Sequence, residues 1–93
     1  MVETDDGGVA NVTLPHWTLI TRLDCPLCTS FEAALREWDT GRGRFRLEVV
    51  NVDGSADLVE RYGMRVPVLL AGGQEICALR FRVERVAAAL AAS

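Results

Sequence analysis

The chain has 93 residues, of which 49% are hydrophobic, so it has the size of one domain and enough apolar residues for a core without metal or disulfide cross-links. Its formal net charge is −3 and its ten basic residues are all arginines spread along the chain, which excludes the basic patch of a nucleic-acid-binding protein. No apolar stretch is long enough to cross a membrane, and the acidic start "MVETDDGGVAN" leads us to expect no signal peptide.

The first half of the chain predicts a strand followed by a helix. Residues 1–13 are polar and predict a loose lead-in to a single domain over residues 1–93. Trp17 to Leu23 is β-branched and apolar on both faces, which is typical of a central strand. Pro26 then opens a helix, because proline suits the first helical position, and Gly41 ends it. The apolar stripe of this helix has spacings of three and four and consists of Leu27, Phe31, Ala34, Leu35 and Trp38.

The middle of the chain predicts an edge strand and a short helix. In "RFRLEVVNVD", Phe45, Leu47 and Val49 alternate with charged residues, which indicates one wet face. In "GSADLVERYG" we expect Ser55 as the N-cap and Gly63 as the end of a helix. The inward side chains of that helix are predicted to be Leu58, Val59 and Tyr62.

The last third predicts a hairpin and a closing helix. Gly72-Gly73 separates "VPVLLA" from "QEICALRF", and two glycines permit the positive φ angles of a tight hairpin turn. The closing helix is expected to face the core with Val83, Val86, Ala87 and Leu90. A crossover as long as the first one implies a parallel strand pair. The fold class is therefore α/β, with a four-stranded mixed sheet and flanking helices in the order strand, helix, strand, helix, strand, strand, helix.

The pair Cys25 and Cys28 is the strongest chemical signal. Three cysteines are an odd number, so a fixed disulfide framework is not expected. We expect the protein to be cytoplasmic. Thiols are kept reduced in the cytoplasm, where a Cys-x-x-Cys pair is more often catalytic or metal-binding than structural. Exchange of electrons and binding of zinc, with Cys77 and His16 completing four ligands, both remain open here. If it binds no metal, Cys77 is expected to be buried and to pack like a small apolar residue.

Two motifs resemble the thioredoxin-fold proteins. They are "CPLC" (25–28), directly after the first strand, and "YGMRVPVLL" (62–70), ahead of the double glycine. The resemblance covers roughly residues 16–90. It is closest to the glutaredoxins, through "CPLC" and "AGGQEI", and among them to short bacterial glutaredoxin-like proteins. It implies a thioredoxin-like fold with a cis peptide bond between Val66 and Pro67.

The resemblance also implies roles for individual residues. Cys25 would be the nucleophile and Cys28 the resolving thiol. The start of a helix favours a thiolate at Cys25, because unpaired N–H groups and the helix dipole stabilise negative charge. The predicted substrate-binding residues are Pro26, Leu27, Arg65, Val66 and Pro67.

Roles can also be predicted for the charged residues near the two motifs. Arg22 stands where the family has a cation before the first cysteine, whereas Asp24 would disfavour a thiolate beside it. Arg65 is predicted to steady the thiolate or a carboxylate of the substrate. Asp53 is interpreted as a turn residue and Asp57 as a charge at a helix start.

These observations predict a thiol–disulfide oxidoreductase with a glutaredoxin-like dithiol mechanism. We expect no tightly bound cofactor, and glutathione or another low-molecular-weight thiol as the reductant. We expect a monomer whose partners are protein disulfides or low-molecular-weight thiols. We expect it to bind neither nucleic acid nor membranes. One alternative is a redox-responsive interaction or carrier module with little turnover, and another is a small zinc-binding module.

Overall fold

The computed structural model describes residues 14–93 of the chain. Its strands are β1 (His16–Thr21), β2 (Arg46–Asn51), β3 (Val68–Ala71) and β4 (Gln74–Ala78). Its helices are α1 (Pro26–Asp39), α2 (Ala56–Tyr62) and α3 (Val83–Ala91), with a short 3₁₀ helix (Val52–Gly54) before α2. The elements follow one another in the predicted order. The lead-in predicted for residues 1–13 lies outside the described residues. None of the helices in residues 14–93 has the length and apolar character needed to cross a membrane.

The four strands form one mixed sheet in the order β2-β1-β3-β4. β1 is parallel to β2 and antiparallel to β3, and β3 is antiparallel to β4. Because β1 is internal, it is buried on both faces of the sheet, which explains its continuous apolar sequence. β2 lies at an edge, as predicted. Gly72 and Gly73 turn the β3–β4 hairpin with φ of 57° and 86°, a conformation that glycine adopts without steric cost.

Two apolar clusters lie on the two faces of the sheet. α1 and α3 cover one face, where the buried residues are Trp17, Leu19, Phe31, Leu35, Leu69, Ile76, Cys77 and Val86. α2 covers the other face, where the buried residues are Ile20, Cys28, Val52, Val66, Val68 and Leu70. Alternation along β1 and β3 supplies both clusters, since successive strand residues point to opposite faces.

The structure corrects several predicted inward positions. Leu27, Val49, Val59, Val83 and Ala87 are exposed. In α3, Val86 and Leu90 face the core as predicted, and Ala89 joins them in place of Val83 and Ala87. On β2, Leu47 packs against one cluster and Val50 against the other. The physical reason is that the spacing of apolar residues identifies a stripe along an element. How the element is rotated against the sheet decides which residues of that stripe are covered.

A partly buried ion pair joins Asp39, the last residue of α1, to Arg44 in the loop that follows, and it was not predicted from the sequence. The carboxylate of Asp39 accepts hydrogen bonds from Nε of Arg44 at 2.8 Å and from the Gly43 amide at 2.9 Å. The guanidinium of Arg44 also lies 4.2 Å from the centre of the Trp38 ring. Burial acts to raise the pKa of Asp39, but the hydrogen bonds from Arg44 and Gly43 outweigh it and hold this pKa below its ordinary value.

We predict that Asp39→Asn lowers the free energy of unfolding by about 1–3 kcal/mol, since it removes charge-assisted hydrogen bonds from a nearly buried group. Chemical denaturation near neutral pH measures this loss. The matched control is Asp57→Asn, whose exposed carboxylate lies 3.7 Å from Arg61 and should cost less than about 0.5 kcal/mol. Equal losses in the two variants would contradict the assigned role of the Asp39 pair.

The Asp39–Arg44 ion pair should make the free energy of unfolding depend on pH. A carboxyl group whose pKa is lower in the folded chain stabilises it above the unfolded pKa, about 3.9 for aspartate, and loses this contribution as the pH falls through the folded pKa. The difference in unfolding free energy between the wild type and Asp39→Asn should therefore be constant above about pH 5 and shrink in more acidic solution. A difference that grows on acidification would contradict the lowered pKa.

Gly63 ends α2 at a place where a side chain does not fit. A Cβ atom there would lie 2.5 Å from the carbonyl oxygen of Val59. We predict that Gly63→Ala destabilises the fold by about 1–3 kcal/mol through this overpacking. Gly54→Ala is the control, because a Cβ at Gly54 meets no atom within 4 Å. Thermal unfolding of both variants checks the expectation, which fails if they have the same midpoint.

Candidate active site

The topology brings three loops to one end of the sheet. In the sheet register Ile20 is opposite Val68, and Val68 is opposite Ala78. The end of β1, the start of β3 and the end of β4 are therefore neighbours. The chain segments beside these ends carry the cysteine pair, the Val66-Pro67 pair and the turn at Leu79. Residues that are far apart in the sequence thus meet around Cys25.

Cys25 and Cys28 are joined in a disulfide at the start of α1, with their Cα atoms 5.2 Å apart. Cys25 is the N-cap and has an extended backbone, and Pro26 occupies the first helical turn. The backbone amide of Cys28 donates a hydrogen bond to Sγ of Cys25 at 3.2 Å. Cys28 is buried, whereas Cys25 is half-buried. Of the two cysteines, Cys25 is therefore the more accessible residue.

Val66 and Pro67 pack beside the cysteine pair. Their peptide bond is cis, as the resemblance implied. Val66 belongs to the same apolar cluster as Cys28, and Cys25 packs against that cluster. The carbonyl of Pro67 accepts a hydrogen bond from the amide of Leu79, which ties the loop after β4 to this pair. Within residues 14–93, neither the amide nor the carbonyl of Val66 has a backbone hydrogen-bond partner.

Arg22 forms a junction between three chain segments near the cysteine pair. Its Nε and Nη2 atoms donate to the carboxylate of Asp53 at 3.0 and 3.2 Å, and its Nη1 atom donates to the carbonyl of Gly63 at 3.1 Å. The hydrogen bond from Arg22 lowers the pKa of Asp53 and raises that of Arg22. Arg22 therefore holds the loop that precedes Val66 instead of presenting an uncompensated charge.

From the sequence, Asp53 was predicted only as a turn residue, and its pairing with Arg22 was missed. A usable signal was present. The carboxyl ends of neighbouring parallel strands meet at one edge of a sheet, and Arg22 and Asp53 follow the ends of β1 and β2.

Arg65 makes a contact that the sequence analysis did not predict. Its guanidinium forms an ion pair with the carboxylate of Glu75 on β4. Asp24, exposed, has a left-handed backbone with φ of 56°. Of the predicted site residues, the structure thus brings six together at one end of the sheet: Cys25, Pro26, Leu27, Cys28, Val66 and Pro67. The charge of the seventh, Arg65, is paired with that of Glu75.

Cys77 and His16 lie apart from the cysteine pair. Cys77 is a free, buried cysteine on β4, where its desolvation raises the pKa of its thiol. His16 is exposed at the first residue of β1. Residues 14–93 contain no group of three or more histidine, cysteine or acidic side chains placed to hold a metal ion. The four zinc ligands considered from the sequence are therefore not assembled.

The family model described as "Glutaredoxin-like domain (DUF836)" matches residues 16–91. The solution structure of protein Ne2328 from Nitrosomonas europaea is 32% identical, with a TM-score of 0.74, over 85% of this chain and 94% of that one. The X-ray structure of protein XcR50 from X. campestris is also 32% identical, with a TM-score of 0.65, over 83% of this chain and 97% of that one. No curated protein matches the chain.

The family match spans most of the chain and includes both cysteines and the Val66-Pro67 pair. The two solved structures are matched over nearly their whole length. The chain therefore belongs to the family described as the Glutaredoxin-like domain, and its mixed sheet with flanking helices is a thioredoxin-like fold.

Proposed function

We propose that the chain is a thiol–disulfide oxidoreductase that carries two electrons on Cys25 and Cys28. The observation that carries this proposal is the position of the two sulfurs at the start of α1. They are close enough to form a disulfide within the first turn of the helix, and the amide of Cys28 donates to Sγ of Cys25. Exposure favours attack by Cys25, and burial favours the resolving role for Cys28.

The proposed reaction consists of two exchanges. The thiolate of Cys25 attacks one sulfur of the partner's disulfide, so that the partner's S–S bond breaks and a mixed disulfide forms. The thiolate of Cys28 then attacks Sγ of Cys25, which closes the Cys25–Cys28 disulfide and releases the second partner sulfur. Two electrons pass to the partner, and its two sulfurs take up protons that the two thiols have lost.

The loop at Val66-Pro67 supports a site for an extended partner segment. The amide and the carbonyl of Val66 have no backbone partner in the described part of the chain. An extended segment could use both groups, as strands do when they add to a sheet edge. In this proposal Val66 and Pro67 hold the partner, Pro26 and Leu27 contact it beside the attacked sulfur, and Arg65 stays at the rim with Glu75.

The source of the electrons is part of the proposal. A low-molecular-weight thiol, with glutathione as one candidate, can attack the half-exposed Cys25 sulfur without a dedicated cofactor site. The proposed setting is a monomer in the cytoplasm, where such thiols are abundant.

We predict that Cys25→Ser abolishes catalytic turnover of a disulfide substrate in the presence of a thiol reductant, since it removes the attacking sulfur. Cys28→Ser should instead accumulate the mixed disulfide with the partner, which mass spectrometry detects on Cys25. The matched control is Cys77→Ala, which changes the third cysteine and should retain turnover. Full activity of Cys25→Ser would refute the oxidoreductase mechanism. A wild type that binds partners without turnover would favour the interaction module.

A further inference from the structure

We propose that the site reduces a disulfide of a partner protein or peptide that carries an apolar side chain beside its cysteine. This side chain enters a groove between α1 and the loop after β4, and glutathione disulfide is a poor substrate by comparison. The inference rests on the proposed oxidoreductase function and names the substrate class of the same site.

Exposed apolar side chains collect around the cysteine pair. Leu23 and Met64 are 75% and 94% exposed, and Leu27 and Leu79 are 54% and 44% exposed. These four residues, which we name the apolar collar, lie after β1, after α2, in the first turn of α1 and after β4. All four segments are at the end of the sheet that carries Cys25. Exposed apolar side chains grouped around one site mark a surface that contacts a partner.

A groove begins at the collar. Its apolar lining comes from Leu27, Phe31 and Ala34 of α1, and from Leu79 and Phe81 of the loop after β4. The rings of Phe31 and Phe81 meet edge to face, with centroids 5.8 Å apart. The volume of the groove is about 350 Å³, and Leu27 lies between the two cysteines in the sequence. The groove therefore begins beside the redox pair, at Leu27, and an apolar side chain next to the attacked cysteine could enter it.

The backbone at Leu79 is unusual for a groove wall. Leu79 has φ of 71°, a left-handed conformation that is unfavourable for a bulky side chain. Two hydrogen bonds hold it there, from the Leu79 amide to Pro67 at 2.8 Å and from the Arg80 amide to Ala78 at 2.7 Å. Glycine or asparagine would adopt this turn more easily. A strained residue that presents a half-exposed leucine is consistent with a requirement for its side chain in binding.

The charges near the pair disfavour glutathione disulfide as the substrate. Each glutathione unit carries two carboxylates, which need cations to bind. Asp53 already neutralises Arg22 through two hydrogen bonds, and Glu75 already neutralises Arg65. A carboxylate bound at Arg22 or Arg65 would have to displace one of these internal partners. The charged residue of the groove lining is Arg80, which suits one carboxylate next to an apolar side chain.

Single-turnover kinetics with three probes test the inference. The fully reduced protein is mixed with two cyclic disulfide peptides, identical except for leucine or serine beside one cysteine and each with one glutamate, and separately with glutathione disulfide. In every case the Cys25 and Cys28 thiols are oxidised and the probe is reduced to two thiols. We expect the leucine peptide to react about tenfold faster than the serine peptide, since burial of a leucine side chain is worth at least one factor of ten.

Surface variants assign that preference to the groove. Leu27→Gln keeps the length and helix propensity of the side chain, and Leu79→Asn suits the left-handed backbone. Both should bring the ratio of the leucine-peptide and serine-peptide rate constants towards one. The matched control is Val49→Thr on β2, whose side chain is 43% exposed against 44% for Leu79, and it should keep the wild-type ratio.

One variant should gain activity. Glu75→Gln removes the charge that neutralises Arg65, so we expect it to accelerate the reduction of glutathione disulfide at least threefold, with a smaller change for the leucine peptide. A wild-type ratio near one, or glutathione disulfide reacting faster than the leucine peptide, would overturn the inference and leave the oxidoreductase function intact. If the wild type reduces none of the three probes, the proposed function fails and the inference fails with it.

Discussion

The unpaired amide groups at the start of α1 are the constraint on which the site depends. An α-helix leaves its first N–H groups without intrahelical partners. In this chain the sulfur of Cys25 accepts a hydrogen bond from one of these groups, the amide of Cys28. The helix starts just beyond the end of β1, which is buried between two other strands. The sheet therefore fixes where these amides point, and the same register places the Val66-Pro67 pair and the Leu79 turn around the sulfur.

Internal ion pairs give this end of the sheet its chemical character. Arg22 and Arg65, the cations nearest to the two motifs in the sequence, are both bound to carboxylates of the chain. Arg22 and Arg65 therefore hold loops in place. In the proposed function, the apolar collar and the groove are the surface that a partner contacts. Proteins that share a fold can differ in their partners through such residues, because function is set by the side chains of the site and not by the fold.

Local signals predicted the elements well, whereas long-range partners required the structure. Pro26, Ser55 and the Gly72-Gly73 turn mark boundaries through conformational preferences of single residues, and each lies where it was expected. The exposure of Val59 and Val83 was not predictable from apolar spacing, because the rotation of a helix depends on what it packs against. The partners of Asp39 and Arg65 were missed for a related reason, since the loop after α1 and the β4 register decide which charges meet.

The alkylation rate of Cys25 as a function of pH tests the central claim most directly. A variant with Cys28→Ala and Cys77→Ala leaves Cys25 as the only thiol of the three cysteines, so a reagent such as iodoacetamide reports on it alone. Stabilisation of the thiolate by the helix start predicts a half-maximal rate well below about pH 8.5, the pKa of a free thiol. Unfolding the same variant in urea should return the midpoint to about 8.5. A folded midpoint at or above the unfolded one would contradict the account.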